Sequence, residues 1–127
     1  MAKMTIARLA SAADVGVETV RFYQRKGLMP VPAAVGAIRT YDKNDVERLI
    51  FIRAAQRAGF RLSEIAELLA LDAAADRTRI RELSQARIDS LDEQIAALTA
   101  ARRALARLVK DCARGEAGPC PIIEAFN

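Results

Sequence analysis

Apolar positions recur at intervals of three and four through most of this 127-residue chain, the period of helices with one buried face. Ile6, Leu9 and Ala10 give residues 4–13 such a face, and the segment ends at Asp14-Val15-Gly16. A second segment, residues 17–26, is stopped by Gly27 acting as a C-cap. Two short helices joined by a tight glycine-containing turn make a helix-turn-helix. On the second helix Val17, Val20 and Phe22 or Leu28 remain for the core, while Glu18, Thr19, Arg21, Tyr23, Gln24, Arg25 and Lys26 offer polar reach.

Pro30 and Pro32 then exclude helix. Residues 37–41 alternate as a small β-strand after Gly36, which predicts a hairpin wing with Arg39 and Tyr41 on one face. Asp42 is placed to cap a helix over 43–58, closed by Gly59, and Leu62, Ile65, Leu68 and Leu69 mark an amphipathic helix over 62–71. Residues 72–76 read as a connection. From 78 to 111 there is neither Gly nor Pro, which predicts one helix of roughly 50 Å at ~1.5 Å per residue. Ile88, Leu91, Ile95, Leu98, Leu105 and Val109 form a heptad stripe on it, interrupted at Arg102. The N-terminal segment is too short to cover that length, so a second copy of the chain is the simplest partner. The expected architecture is mainly α: a winged helix-turn-helix with coupling helices over 1–75, a dimerisation helix over 76–111 forming an antiparallel coiled coil, and a loop and turn over 112–127.

Charge changes this picture in one respect. Residues 1–61 carry eleven Lys and Arg against five Asp and Glu, whereas residues 62–127 carry nine against eleven. A basic front half suits a polyanion, and a solvated face is the plainer alternative. The second helix divides into an apolar side and a side able to reach base edges and phosphates. Thr19, Arg21, Tyr23 and Lys26 on it, with Arg39 and Tyr41 on the wing, are the candidate DNA contacts. The absence of histidine removes the usual general base and imidazole metal sites, so an enzyme is not expected. No apolar run approaches a membrane span and the N-terminus lacks a signal-peptide pattern, so a cytoplasmic protein is expected.

The chemistry lies in the two cysteines, Cys112 and Cys120. Two thiolates suit soft ions in linear coordination, Cu(I), Ag(I), Au(I) or Hg(II), whereas a structural zinc site wants four donors. Pro121 suits the first position of a helical turn, which makes Cys120 its N-cap, where amides and the helix dipole favour a thiolate. Gly115 and Gly118 let the loop fold one sulfur back toward the other. A regulatory disulfide, a pair of inert thiols, and an organic ligand with incidental cysteines remain as alternatives.

The segments Val17-Glu18-Thr19-Val20-Arg21-Phe22-Tyr23-Gln24-Arg25-Lys26-Gly27-Leu28, Ile38-Arg39-Thr40-Tyr41 and Gln56-Arg57-Ala58-Gly59-Phe60 resemble the MerR family of transcription regulators, over residues 4 to about 71, and the long helix and cysteine tail extend the resemblance to the end. It implies a homodimer on double-stranded promoter DNA that acts on RNA polymerase indirectly, by bending and untwisting an overlong promoter spacer when inducer binds. The tail Cys112…Cys120-Pro121-Ile122-Ile123-Glu124 is most similar to the copper-efflux (CueR-like) regulators, with Cys112 and Cys120 as paired ligands. The front half is closer to the mercury-resistance regulators. Those use a third cysteine at the start of the long helix; here that place falls at Arg77 or Arg79, with Thr78 between. The resemblance therefore implies activation of metal-resistance or efflux genes, with the monovalent coinage ions ahead of Hg(II).

Overall fold

A computed structural model of the chain describes residues 3–115 and 118–125. Its elements are α1 (Ile6–Ala12), α2 (Val17–Arg25), α3 (Lys43–Arg57), α4 (Leu62–Ala73), α5 (Arg77–Arg114) and α6 (Pro121–Ala125). They form two compact units, Met1–Leu83 and Ser84–Asn127, so the 38-residue α5 belongs to both. No described helix is both long and apolar enough to cross a membrane.

Local chemistry explains where the helices begin and end. Thr5 caps α1, its hydroxyl accepting from the amide of Arg8 at 3.3 Å. Asp42 and Asp45 form a reciprocal capping box, each carboxylate accepting the other's amide at 3.2 and 2.9 Å, so two otherwise orphaned donors are satisfied at the start of α3. Gly27, with φ of 75°, follows α2 in the left-handed region open to glycine. Between α4 and α5 the chain turns through Ala75 at φ 57°, and Asp76 accepts from the amide of Arg79 at 3.2 Å. The expected connection at 72–76 is thus shorter, because α4 runs on to Ala73.

The first unit is organised around one core. Leu9 and Ala10 of α1, Val20 and Tyr23 of α2, Leu28 and Met29 after it, and Leu49, Ile52, Ala55 and Ile65 of α3 and α4 are all buried. Phe22, which shared the sequence assignment with Leu28, is only half-buried against this core, and Leu28 takes the interior place.

The wing departs from expectation. No strand forms over 37–41; among the described residues there are two isolated antiparallel bridges, Val35 with Ile38 and Met4 with Tyr41. A turn at Gly36 (φ 65°) closes the loop on the single Val35–Ile38 bridge, and the pairing does not extend past it.

No residue of α5 is fully buried within one chain. Ile95 is 60% exposed, Leu98 71% and Val109 55%.

Candidate nucleic-acid interface and thiol pair

The exposed face of α2 and the wing enclose an open groove of about 330 Å³, bordered by Arg21 and Gln24 on one side and by Val31, Ile38, Arg39 and Tyr41 on the other. Arg21 is exposed and paired with Glu18 at 3.1 Å across one helical turn. A surface pair of this kind contributes ~0.5 kcal/mol, so it does not hold the guanidinium against a phosphate or a guanine edge. Lys26 is exposed with its ammonium 5.7 Å from the centre of the Phe22 ring. Thr19 is half-buried and Arg39 exposed. Arg39 donates from Nε to the Pro32 carbonyl at 3.0 Å, which directs the remaining guanidinium donors away from that carbonyl.

The two tyrosines of the expected contact set are placed differently. Tyr23 is 1% exposed and Tyr41 3%. The Tyr23 hydroxyl donates to Gln56 Oε1 and lies 3.4 Å from Arg53 Nη1. The Tyr41 hydroxyl accepts from Gln24 at 2.8 Å on the floor of the groove. Helical spacing puts Tyr23 three residues after the buried Val20, on the core side, and the rings fill space there. In this structure both are core residues with engaged hydroxyls, and the exposed cationic reach falls to Arg21, Lys26 and Arg39. Arg39 and Tyr41 border the same groove, as strand-like alternation predicts, but only Arg39 is exposed.

Gln24, Gln56 and Arg53 are the partners that sequence reasoning did not assign. Gln24 had appeared only as part of the polar face of α2. The Tyr23–Gln56 contact joins residues 33 apart, and no local pattern announces it.

Cys112 lies in the last turns of α5, and Cys120 stands immediately before α6, where its carbonyl accepts from the Glu124 amide at 3.1 Å. Their sulfurs are 3.3 Å apart and both thiols are free and half-buried. A disulfide needs about 2.05 Å. Amides of Ile123 first, then the Cys112 thiol and the Ile122 amide, draw the Cys120 pKa below its ordinary value of 9.0, with burial and the Glu124 charge opposing. The hydrogen bond to Cys120, then the charge of Cys120, then burial push Cys112 up. The amides at the start of α6 thus favour a thiolate at Cys120 over one at Cys112, and the pair titrates as a unit. The α6 N-terminus supplies the expected N-cap environment.

Gly118, at φ 99°, takes a backbone conformation that favours glycine in the loop that returns Cys120 to Cys112; Glu116 and Ala117 of that loop lie outside the described residues. With metal–sulfur bonds of ~2.3 Å, a linear two-sulfur site spans ~4.6 Å. The pair at 3.3 Å needs a modest opening to take one ion. No group of three or more Cys, Asp or Glu side chains suited to a metal occurs among the described residues. At the start of α5 Arg77, Thr78 and Arg79 are exposed, and Arg79 pairs with Glu67 at 3.5 Å and Glu82 at 3.3 Å.

Comparison with known proteins agrees with this layout. The family described as MerR HTH family regulatory protein matches residues 4–72, and the one described as MerR, DNA binding matches residues 46–108. The chain is 42% identical to the mercuric resistance operon regulatory protein of Serratia marcescens, over 98% of this chain and 88% of that one. It is 32% identical to the transcription regulator PbrR691 of Ralstonia metallidurans CH34, solved with lead(II), covering 98% of this chain and 99% of that one with a TM-score of 0.76. It is also similar to the dual-function regulator MerR of Bacillus megaterium MB1, solved with mercury(II), at 29% identity and a TM-score of 0.71 over 97% and 98% of the two chains.

Proposed function

The chain belongs to the MerR family of helix-turn-helix regulatory proteins, and from that premise we propose that it is a metal-responsive transcription regulator whose inducer is a soft ion held between Cys112 and Cys120. The observation that carries this reading is the thiol pair itself: two free sulfurs 3.3 Å apart, with the amides at the start of α6 lowering the pKa of one of them.

On DNA, α2 lies in the major groove with Arg21 toward base edges or phosphate, and Lys26 and Arg39 neutralise backbone phosphates. Two copies join through the exposed stripe of α5, which places two α2 helices on one duplex. Since α5 runs from the DNA-reading unit to the thiol pair, a change at Cys112 is made on the helix that also begins in the first unit. Activation follows as deformation of the promoter, by which RNA polymerase is reached indirectly.

The ion is soft and two-coordinate. Cu(I), Ag(I) and Au(I) match a site with two sulfurs and no third cysteine at Arg77 to Arg79. A second reading, Hg(II), rests on the 42% identity to a mercuric resistance regulator and on the neutrality of a divalent ion between two thiolates. Titrating the reduced protein with Ag(I), Cu(I) and Hg(II) in competition separates the two. One tight ion per thiol pair, lost in both Cys112→Ser and Cys120→Ser, supports the site; unchanged binding in either variant sinks it. A reversible thiol–disulfide response with no metal uptake would favour redox sensing.

A further inference from the structure

A wing without a ladder must be held by something else. Here the loop runs from Pro30 to Tyr41, and one side chain of α2 grips both ends. Gln24 of α2 donates from Nε2 to the Pro30 carbonyl at 3.1 Å and to the Tyr41 hydroxyl at 2.8 Å. An amide nitrogen carries two hydrogens, so this bifurcated grip uses the full donor capacity of Gln24. Tyr41 is in turn fixed by its ring in the core and by paired backbone bonds to Met4, both 2.8 Å. The Arg39 bond to the Pro32 carbonyl and the Val35–Ile38 bridge tie the wing only to itself.

We propose that Gln24 is a positioning residue for DNA binding: it fixes the angle between the wing and α2, and so places Arg39 at the distance from Arg21 that one duplex requires. The inference rests on the DNA-binding reading above. Without the amide, Pro30 and Tyr41 lose their side-chain ties to α2, the wing keeps only its buried ends at Leu28–Met29 and Tyr41, and Arg39 no longer meets its phosphate at small entropic cost.

The test exploits the neutrality of Gln24. Each phosphate contact contributes about one to the slope of log affinity against log salt, and an uncharged residue contributes none directly. A duplex selected by the wild-type protein from a randomised library serves as probe. Gln24→Ala is expected to lower the salt slope by about one per half-site, as Arg39→Ala does, and the double variant by no more than either alone. A full slope in Gln24→Ala, with Arg39→Ala still subtracting its own share, overturns the proposal. Tyr41→Phe keeps the ring in the core and removes one of the two bonds, so it covers the case in which Gln24→Ala fails to fold. It is expected to shift the slope in the same direction, and an unchanged slope overturns the proposal too. A wild-type protein that selects no duplex overturns the DNA-binding reading and this inference with it, whereas binding that ignores Gln24 overturns only the inference.

Discussion

At the scale of single residues, Cys112 and Cys120 have the same side chain and different chemistry. The Ile123 and Ile122 amides point at one sulfur and not at the other. A lowered pKa keeps the thiolate present to lower pH, so Cys120 is expected to be alkylated by iodoacetamide faster than Cys112 near neutrality. Its rate should rise at a pH below that of an ordinary thiol, and that of Cys112 above it. Single variants separate the causes. In Cys112→Ser the Cys120 profile stays low, because its largest cause is the Ile123 amide. In Cys120→Ser the Cys112 profile returns toward the ordinary value, because its two largest causes leave with Cys120. Equal rates for the two thiols in the native protein would refute the N-cap account. The N-cap was legible in the sequence, since Pro121 marks where a helical turn can start. The 3.3 Å approach of the sulfurs was not, because it depends on the path of the loop between them.

At the scale of elements, caps and stripes carry the predictions. The Asp42–Asp45 box satisfies the first turn of α3, which in turn supplies Leu49 and Ile52 to the core. Asp42→Ala is therefore expected to cost about 1 kcal/mol, seen as a lower thermal midpoint with no change in metal binding. On α5 Ile95, Leu98 and Val109 are exposed in the single chain, and the proposed dimer covers them. A charge at its centre, Leu98→Glu, is expected to turn a dimer into a monomer in sedimentation and to reduce DNA affinity through loss of the second half-site. A Leu98→Glu protein that sediments as the wild type does would show that this face is merely solvated. The heptad pattern alone located the stripe, whereas α5 runs three residues beyond the expected end at 111, to Arg114 just before Gly115.

For the whole molecule, the proposed mechanism has an ion held by Cys112 and Cys120 change what the bound protein does to its promoter. In a deformation mechanism the loaded and metal-free proteins occupy the same promoter with similar affinity, and only the loaded form raises transcription. With the promoter this chain regulates, the metal is expected to increase transcript yield severalfold in a reconstituted system, without releasing the protein. Cys112→Ser should stay bound and silent. Release of the protein by metal, with transcription following release, would replace deformation with simple derepression.

Much of the molecule was set by the sequence alone. Spacings of three and four, together with Gly27, Asp42, Gly59 and Pro121, determine where helices start and stop, because those signals act over one turn. The soft-ion reading of the tail likewise rests on two thiols and no histidine, whatever the fold. Tertiary structure decided what depends on distant neighbours. Tyr23 and Tyr41, polar-tipped and placed among basic residues, read as contacts for DNA; only the fold shows that their rings fill the core and that their hydroxyls are taken by Gln56 and Gln24. The wing read as a strand from its alternation, yet a ladder needs a second strand in register, and the pairing stops at the one Val35–Ile38 bridge. In its place a glutamine of α2 holds the loop, a role visible only once residues 24, 30 and 41 are brought together.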